Sequence, residues 1–111
     1  MINAVNVRAH VELTVIVDVS EVPDLKFSQH YMIRPNQLMI KYTHSPADHT
    51  NPKPYYHRTI TVYGRYVLKS GELGQDRRHV NFYDDAKTPA WVLESEAANR
   101  PDWSQLVVPG K

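Results

Sequence analysis

Four side chains with metal-binding chemistry crowd into one short stretch, HSPADHTNPKPYYH, at residues 44–57: His44, Asp48, His49 and His57. Imidazole and carboxylate hold a divalent ion when regular structure fixes their spacing, as two His at i, i+4 on a helix or alternating on a strand. His44 and Asp48 have the helical spacing, but Pro46 and the turn formers around it oppose a helix. His49 and His57 are separated by Pro52 and Pro54, which favour extended backbone. A folded-back loop would bring His44, His49 and His57 together. The plainer reading is a solvated loop joining two strands, with Tyr55 and Tyr56 opening the second. No metal and no cofactor are expected.

Nucleophilic catalysis finds less to work with. The chain has no cysteine, which removes thiolate nucleophiles, Cys-ligated zinc and disulfides. No G-x-S-x-G elbow occurs, and no glycine-rich phosphate loop. The acidic pair Asp84–Asp85 falls at a strand end, where solvated turn carboxylates are common. The chain is expected not to be an enzyme.

A second constellation emerges when YYHRTITVYGRYVLKSGELGQDRRHVNFYDD is read with a period of two. The even positions Tyr56, Ile60, Val62, Tyr66, Leu68, Val80 and Phe82 form one apolar face. The odd face carries His57, Thr59, Thr61, Tyr63 and Arg65, then Arg77, His79, Asn81 and Tyr83. A hairpin centred on Glu72 pairs residues whose numbers sum to 144, placing Arg65 beside His79 and Tyr63 beside Asn81. Rings and cations on an open sheet are what single-stranded nucleic acid binders use, the rings for bases and the cations for phosphates. An antiparallel sheet wet on one face shows polar, Thr- and Tyr-rich residues there in any case. The candidate binding residues for protein or nucleic acid are therefore His57, Tyr63, Arg65, Arg77, His79 and Tyr83.

Several further elements must position that hairpin. In VNVRAHVELTVIVDV, residues 5–19, every odd position is apolar, so this is a strand with one buried face, long enough to need a bend or bulge. HYMI and LMIKYT are strand-like, and RPNQ between them predicts a hairpin turn. Gly71 and Gly74 suit the connection near Glu72, and Gly64 in mid-strand signals a bulge or a close backbone contact. TPAWVLESEAANRP reads as a helix, with Thr88 as N-cap, Pro89 at the first position, Asn99 as a left-handed C′ residue and Pro101 forbidding continuation. Trp91, Val92, Ser95 and Ala98 would face the sheet, and Trp103 would close the edge of the core. The fold class is mainly β: one twisted antiparallel sheet, flat or folded towards a sandwich or half-barrel, packing one C-terminal helix.

At 111 residues the chain fits a single domain, 1–111, with 104–111 expected as a flexible tail. No apolar run is long enough to span a bilayer, and no signal sequence opens the chain, so a cytoplasmic protein without a membrane partner is expected. The net charge of +1 hides an uneven distribution. Residues 51–83 hold six Lys/Arg against two Asp/Glu, while the segments on either side are slightly acidic. That excess is spread round a whole hairpin rather than gathered into a basic tract.

Gly64–Arg65, Leu68 to Gly71, Leu73–Gly74, Tyr83–Asp84, Pro89 to Val92 and Arg100 to Trp103 together resemble a pattern in small proteins of unassigned function encoded by actinobacterial phages and prophages. The resemblance covers the C-terminal half. It implies a non-virion accessory protein in the cytoplasm of an infected bacterium, acting by binding a host protein and altering host physiology. It carries no catalytic residue. The expected function is accordingly non-catalytic protein binding. Single-stranded nucleic acid binding on the odd hairpin face is the first alternative, and a structural head–tail or tail component of the virion the second. Open strand edges would also allow a homo-oligomer.

Overall fold

The computed structural model describes residues 11–45 and 55–102. Five strands form one open antiparallel sheet: β1 Val11–Asp18, β2 Leu25–Lys26, β3 Met32–Ser45, β4 Tyr55–Val67 and β5 Leu73–Phe82. The order is β1-β3-β4-β5, and β2 pairs with the start of β3. A single 3-10 turn, Asp85–Lys87, leads into helix α1, Ala90–Asn99. The mainly β fold with one C-terminal helix is the one the sequence predicts. No helix among the described residues is long and apolar enough to cross a membrane.

Alternation builds the sheet. Along β1 the odd residues are half-buried and the even ones exposed. The covered face gathers Leu25, Ile33, Leu38, Ile40, Tyr42, Ile60 and Val62, and α1 closes it with Val92. All are removed from water, which is the main source of the sheet's stability.

The predicted turn at RPNQ is not a turn. Residues 32–45 run as one strand, in which Pro35 pairs with Gly64 and Gln37 with Tyr63, leaving Asn36 as the extra residue of a β-bulge. A bulge tolerates proline because no regular ladder donor is lost there. The Asn36 carbonyl accepts a 3.0 Å hydrogen bond from the Val19 amide. The bulge also switches parity: Ile33 and Pro35 are buried before it, Leu38, Ile40 and Tyr42 after it. Gly64 faces this kink, and any side chain there would run its Cβ into the Arg34 carbonyl.

The β4–β5 hairpin keeps its predicted faces but not its predicted register. Val62 pairs with Val80, Thr61 with Asn81, Tyr63 with His79 and Arg65 with Arg77, a sum of 142 instead of 144. The turn is the reason. The Gly71 amide donates to the Leu68 carbonyl and the Leu68 amide to the Glu72 carbonyl, both at 2.8 Å, centring the connection on Ser70. Gly71 supplies the positive φ of 90° that this tight turn needs. Beyond it, the register shifts between Arg65 and Val67. A slip of two leaves every side chain on its own face.

The helix ends also differ from expectation. Pro89 rather than Thr88 stands at the N-cap of α1, which has no side-chain cap, and the Thr88 hydroxyl donates instead to the Asp84 carbonyl at 2.8 Å. Asn99 stays helical, its side-chain amide donating to the Ser95 carbonyl at 2.8 Å. Arg100 ends the helix in extended conformation, as a residue before proline prefers. Val92 and Glu96 are the buried helix residues; Trp91 and Ser95 are half-buried and Ala98 is exposed. Trp103 and the expected tail 104–111 lie outside the described residues, as does the first part of the predicted 5–19 strand.

Candidate functional site

Helix α1 covers one face of the sheet only. Because paired residues share a face, the opposite face can be read rung by rung across four strands. One rung is Asp18–Gln37–Tyr63–His79, the next Ile16–Met39–Thr61–Asn81, and beyond them Thr14–Lys41–Thr59. On the other side of the first rung lies Arg34–Arg65–Arg77.

Tyr63 is the centre of this face. Its ring lies 5.8 Å from that of His79, and the Arg77 guanidinium sits 5.4 Å from its centroid. Such a cation over a ring is attracted by the ring's quadrupole. Alongside, the Thr61 hydroxyl donates to the Asn81 side-chain oxygen at 2.9 Å. The arginine rung places like charges directly opposite one another, an arrangement that costs stability unless partners intervene. Arg34 is held by Asp24 in a two-pronged pair at 2.9 and 3.0 Å. That hydrogen bonding keeps the Asp24 carboxyl below its ordinary range. Arg65 donates through Nε to the Gly74 carbonyl at 2.7 Å and through Nη2 to the Leu73 carbonyl at 3.4 Å.

Of the six candidate residues, Tyr63, Arg65, Arg77 and His79 therefore form one cluster. Arg65 sits beside Arg77 rather than His79, and Tyr63 beside His79 rather than Asn81, because of the two-residue slip. His57 is exposed on the same face, but six residues back along β4, about 20 Å away at strand spacing. Tyr83 is 74% exposed just beyond β5, next to Lys87 and Asp84. The opening stretch lies partly within the described residues. His44 is buried on the covered face, its ring stacked 4.4 Å from Tyr56, whereas His57 pairs with Thr43 on the open face. The two histidines thus belong to opposite sides of the sheet. Asp48 and His49 lie outside the described residues.

A second constellation, which the sequence reading did not assemble, lies where α1 meets the sheet. Glu96 is fully buried. It accepts from the Tyr42 hydroxyl at 2.7 Å, from Arg100 Nε at 2.7 Å and from Arg100 Nη2 at 2.6 Å. Arg58 Nε adds a pair at 3.1 Å, and its Nη atoms reach Asp85 at 3.1 Å. Burial pushes the Glu96 carboxyl up, but the hydrogen bonds from Arg100 and Tyr42 and the charge of Arg58 outweigh it and hold it at about 2. Burial and the adjoining carboxylate push the Tyr42 phenol the other way, well above its usual value. Both carboxylate oxygens are occupied, so the cluster fastens helix to sheet and leaves Glu96 no lone pair aimed at a substrate. The signal for it was the i, i+4 pair Glu96–Arg100; nothing in the sequence joined Tyr42 and Arg58 to that pair.

No protein-family model, no curated protein sequence and no solved structure matches this chain.

Proposed function

We propose that this chain is a non-catalytic protein-binding module that engages its partner through the open face of the sheet. The observation that carries the reading is the Tyr63–His79–Arg77 cluster on a face that α1 leaves bare, flanked by Ile16, which is 53% exposed, and half-buried Met39. Tyrosine and arginine ringed by modest apolar contacts are the preferred anchors of protein interfaces. The expected setting, an infected bacterium in which the partner is a host protein, rests on the resemblance of the C-terminal half to small phage and prophage proteins.

Single-stranded nucleic acid is the weaker occupant. The face of the Tyr63 ring is shared with Arg77, and the Arg65 guanidinium is spent on two carbonyls of its own hairpin. Ring and cation are thus engaged with each other or with the backbone, where a nucleic acid binder would present them to bases and phosphates. The test is capture from bacterial lysate on immobilised protein, with and without nuclease, followed by binding of the identified partner to purified wild type and Tyr63→Ala. A partner retained after nuclease and lost with Tyr63→Ala is the expected result. Nanomolar binding of single-stranded oligonucleotides, abolished by Tyr63→Ala and Arg65→Ala, would reverse the ranking. Copurification with intact virions would favour a structural component.

A further inference from the structure

The two outer strands differ in charge. β1, VELTVIVD, carries Glu12 and Asp18 and no cation; β5, LGQDRRHVNF, carries Arg77, Arg78 and His79 against Asp76. Among the described residues, neither has a strand on its outer side. β1 also lacks most devices that blunt an edge. It is eight residues long, has no proline, lysine or bulge, and shows an exposed Ile16 with half-buried Leu13, Val15 and Val17 beneath it.

Two charges stand out at these edges, both on the open face. Among the described residues Asp18 meets only the Gln37 amide, at 3.4 Å, and no cation. Arg77 ends the arginine rung; its guanidinium lies over the Tyr63 ring and has no carboxylate partner among the described residues. Its rung neighbours are compensated, Arg34 by Asp24 and Arg65 by carbonyls. The rung is one anion short at its outer end.

We propose that β1 of a second copy adds to the edge of β5, so that the sheet continues from one protomer into the next. Direction permits it. Each neighbour along β1-β3-β4-β5 is antiparallel, so β1 and β5 run oppositely, and a copy placed alongside in the same sense brings an antiparallel strand to β5. Composition selects the register. With Asp18 opposite Arg77, Val15 falls opposite Val80 and Leu13 opposite Phe82 on the covered face, and Thr14 opposite Asn81 on the open one. One face gains an ion pair where the rung lacks it; on the other, half-buried Val15 and Leu13 meet half-buried Val80 and Phe82, and Val17 meets the exposed Arg78. Pairing β1 with another β1 brings two acidic strands together and leaves Arg77 uncompensated. The contact is head-to-tail, so it generates a ring or an open chain of subunits. It shares Arg77 with the Tyr63 cluster, so Asp18→Arg, which leaves Tyr63, His79 and Arg77 in place, separates its failure from that of the partner proposed above.

Sedimentation velocity of the full chain tests it. Wild type is expected to associate with rising concentration. Asp18→Arg and Arg77→Asp should each weaken association at least about tenfold, because a like charge replaces the attraction. The double variant, or a mixture of the two single variants, should recover it; recovery separates a direct pair from misfolding. The absence of native cysteine makes Thr14→Cys and Asn81→Cys clean probes, expected to cross-link to each other when mixed and not to themselves. A monomer at every concentration, association indifferent to both charge reversals, or a Thr14→Cys chain that cross-links to itself would overturn the proposal.

Discussion

The covered and open faces of this sheet are made by the same strands, residue alternating with residue, yet they solve opposite problems. On the covered face, among the described residues, eight hydrophobic residues are withdrawn from water, and the one buried carboxylate is matched by two guanidinium groups and a phenol. On the open face three arginines stand side by side and the central tyrosine is only half-buried. The first arrangement reduces the number of ways the chain can fold. The second tolerates like-charge contacts that contribute nothing to stability. A charge is acceptable on either face, but only the covered one demands complete satisfaction, since an unmatched charge there would lose its hydration with no return.

The contrast is most severely tested at Glu96. Replacing it with Ala leaves the Tyr42 hydroxyl and Arg100 without their carboxylate and Arg58 with Asp85 alone, and should lower stability by about 3 kcal/mol. Denaturant unfolding measures this, and a loss under about 1 kcal/mol would show that the cluster does not fasten α1. Acidification removes the same charge without mutation. The folded Glu96 carboxyl lies at about 2 against an ordinary 4.5, so its contribution is complete above the ordinary value and fades as pH falls towards the folded one. The stability gap between wild type and Glu96→Gln should therefore narrow between about pH 5 and pH 2. A gap constant over that range would mean the carboxylate is not held by its partners.

Gly64→Ala probes the seam between the faces. Its Cβ meets the Arg34 carbonyl, so the bulge must shift, at about 1–3 kcal/mol. A neutral result would mean that β3 and β4 separate freely there. The smallest effect is expected on the open face. Thr59→Ala should change stability by no more than about 0.5 kcal/mol, as surface substitutions do. If it cost as much as Gly64→Ala, the open face would be contributing to folding after all.

Much of this was legible residue by residue. Alternation in β1 and in the β4–β5 hairpin assigned each side chain to its face, and a two-residue error in register left those assignments intact because the strand period is two. The glycine at position 64 announced a close contact, and the proline at 101 the end of the helix. RPNQ was misread because turns and bulges draw on the same residues; the switch of buried parity between Ile33 and Leu38 was the signal that the strand continues. Thr88 had the chemistry of an N-cap, but the helix begins one residue later, with Pro89 at the N-cap, and the Thr88 hydroxyl closes the preceding 3-10 turn onto the Asp84 carbonyl.

What the sequence determined by itself is periodic: which residues of β1 and of the β4–β5 hairpin share a face, that a helix follows them, and that rings and cations gather on the hairpin's odd side. What only the tertiary structure decided is which residues meet across strands. Arg65 beside Arg77, Tyr63 under a guanidinium, and Glu96 between Tyr42, Arg58 and Arg100 all depend on turn geometry and on where the helix lands. Periodicity is local and repeats along the chain. Register and docking are set by contacts between residues far apart in the chain, such as Tyr42 and Glu96, 54 positions apart, and no local pattern encodes them.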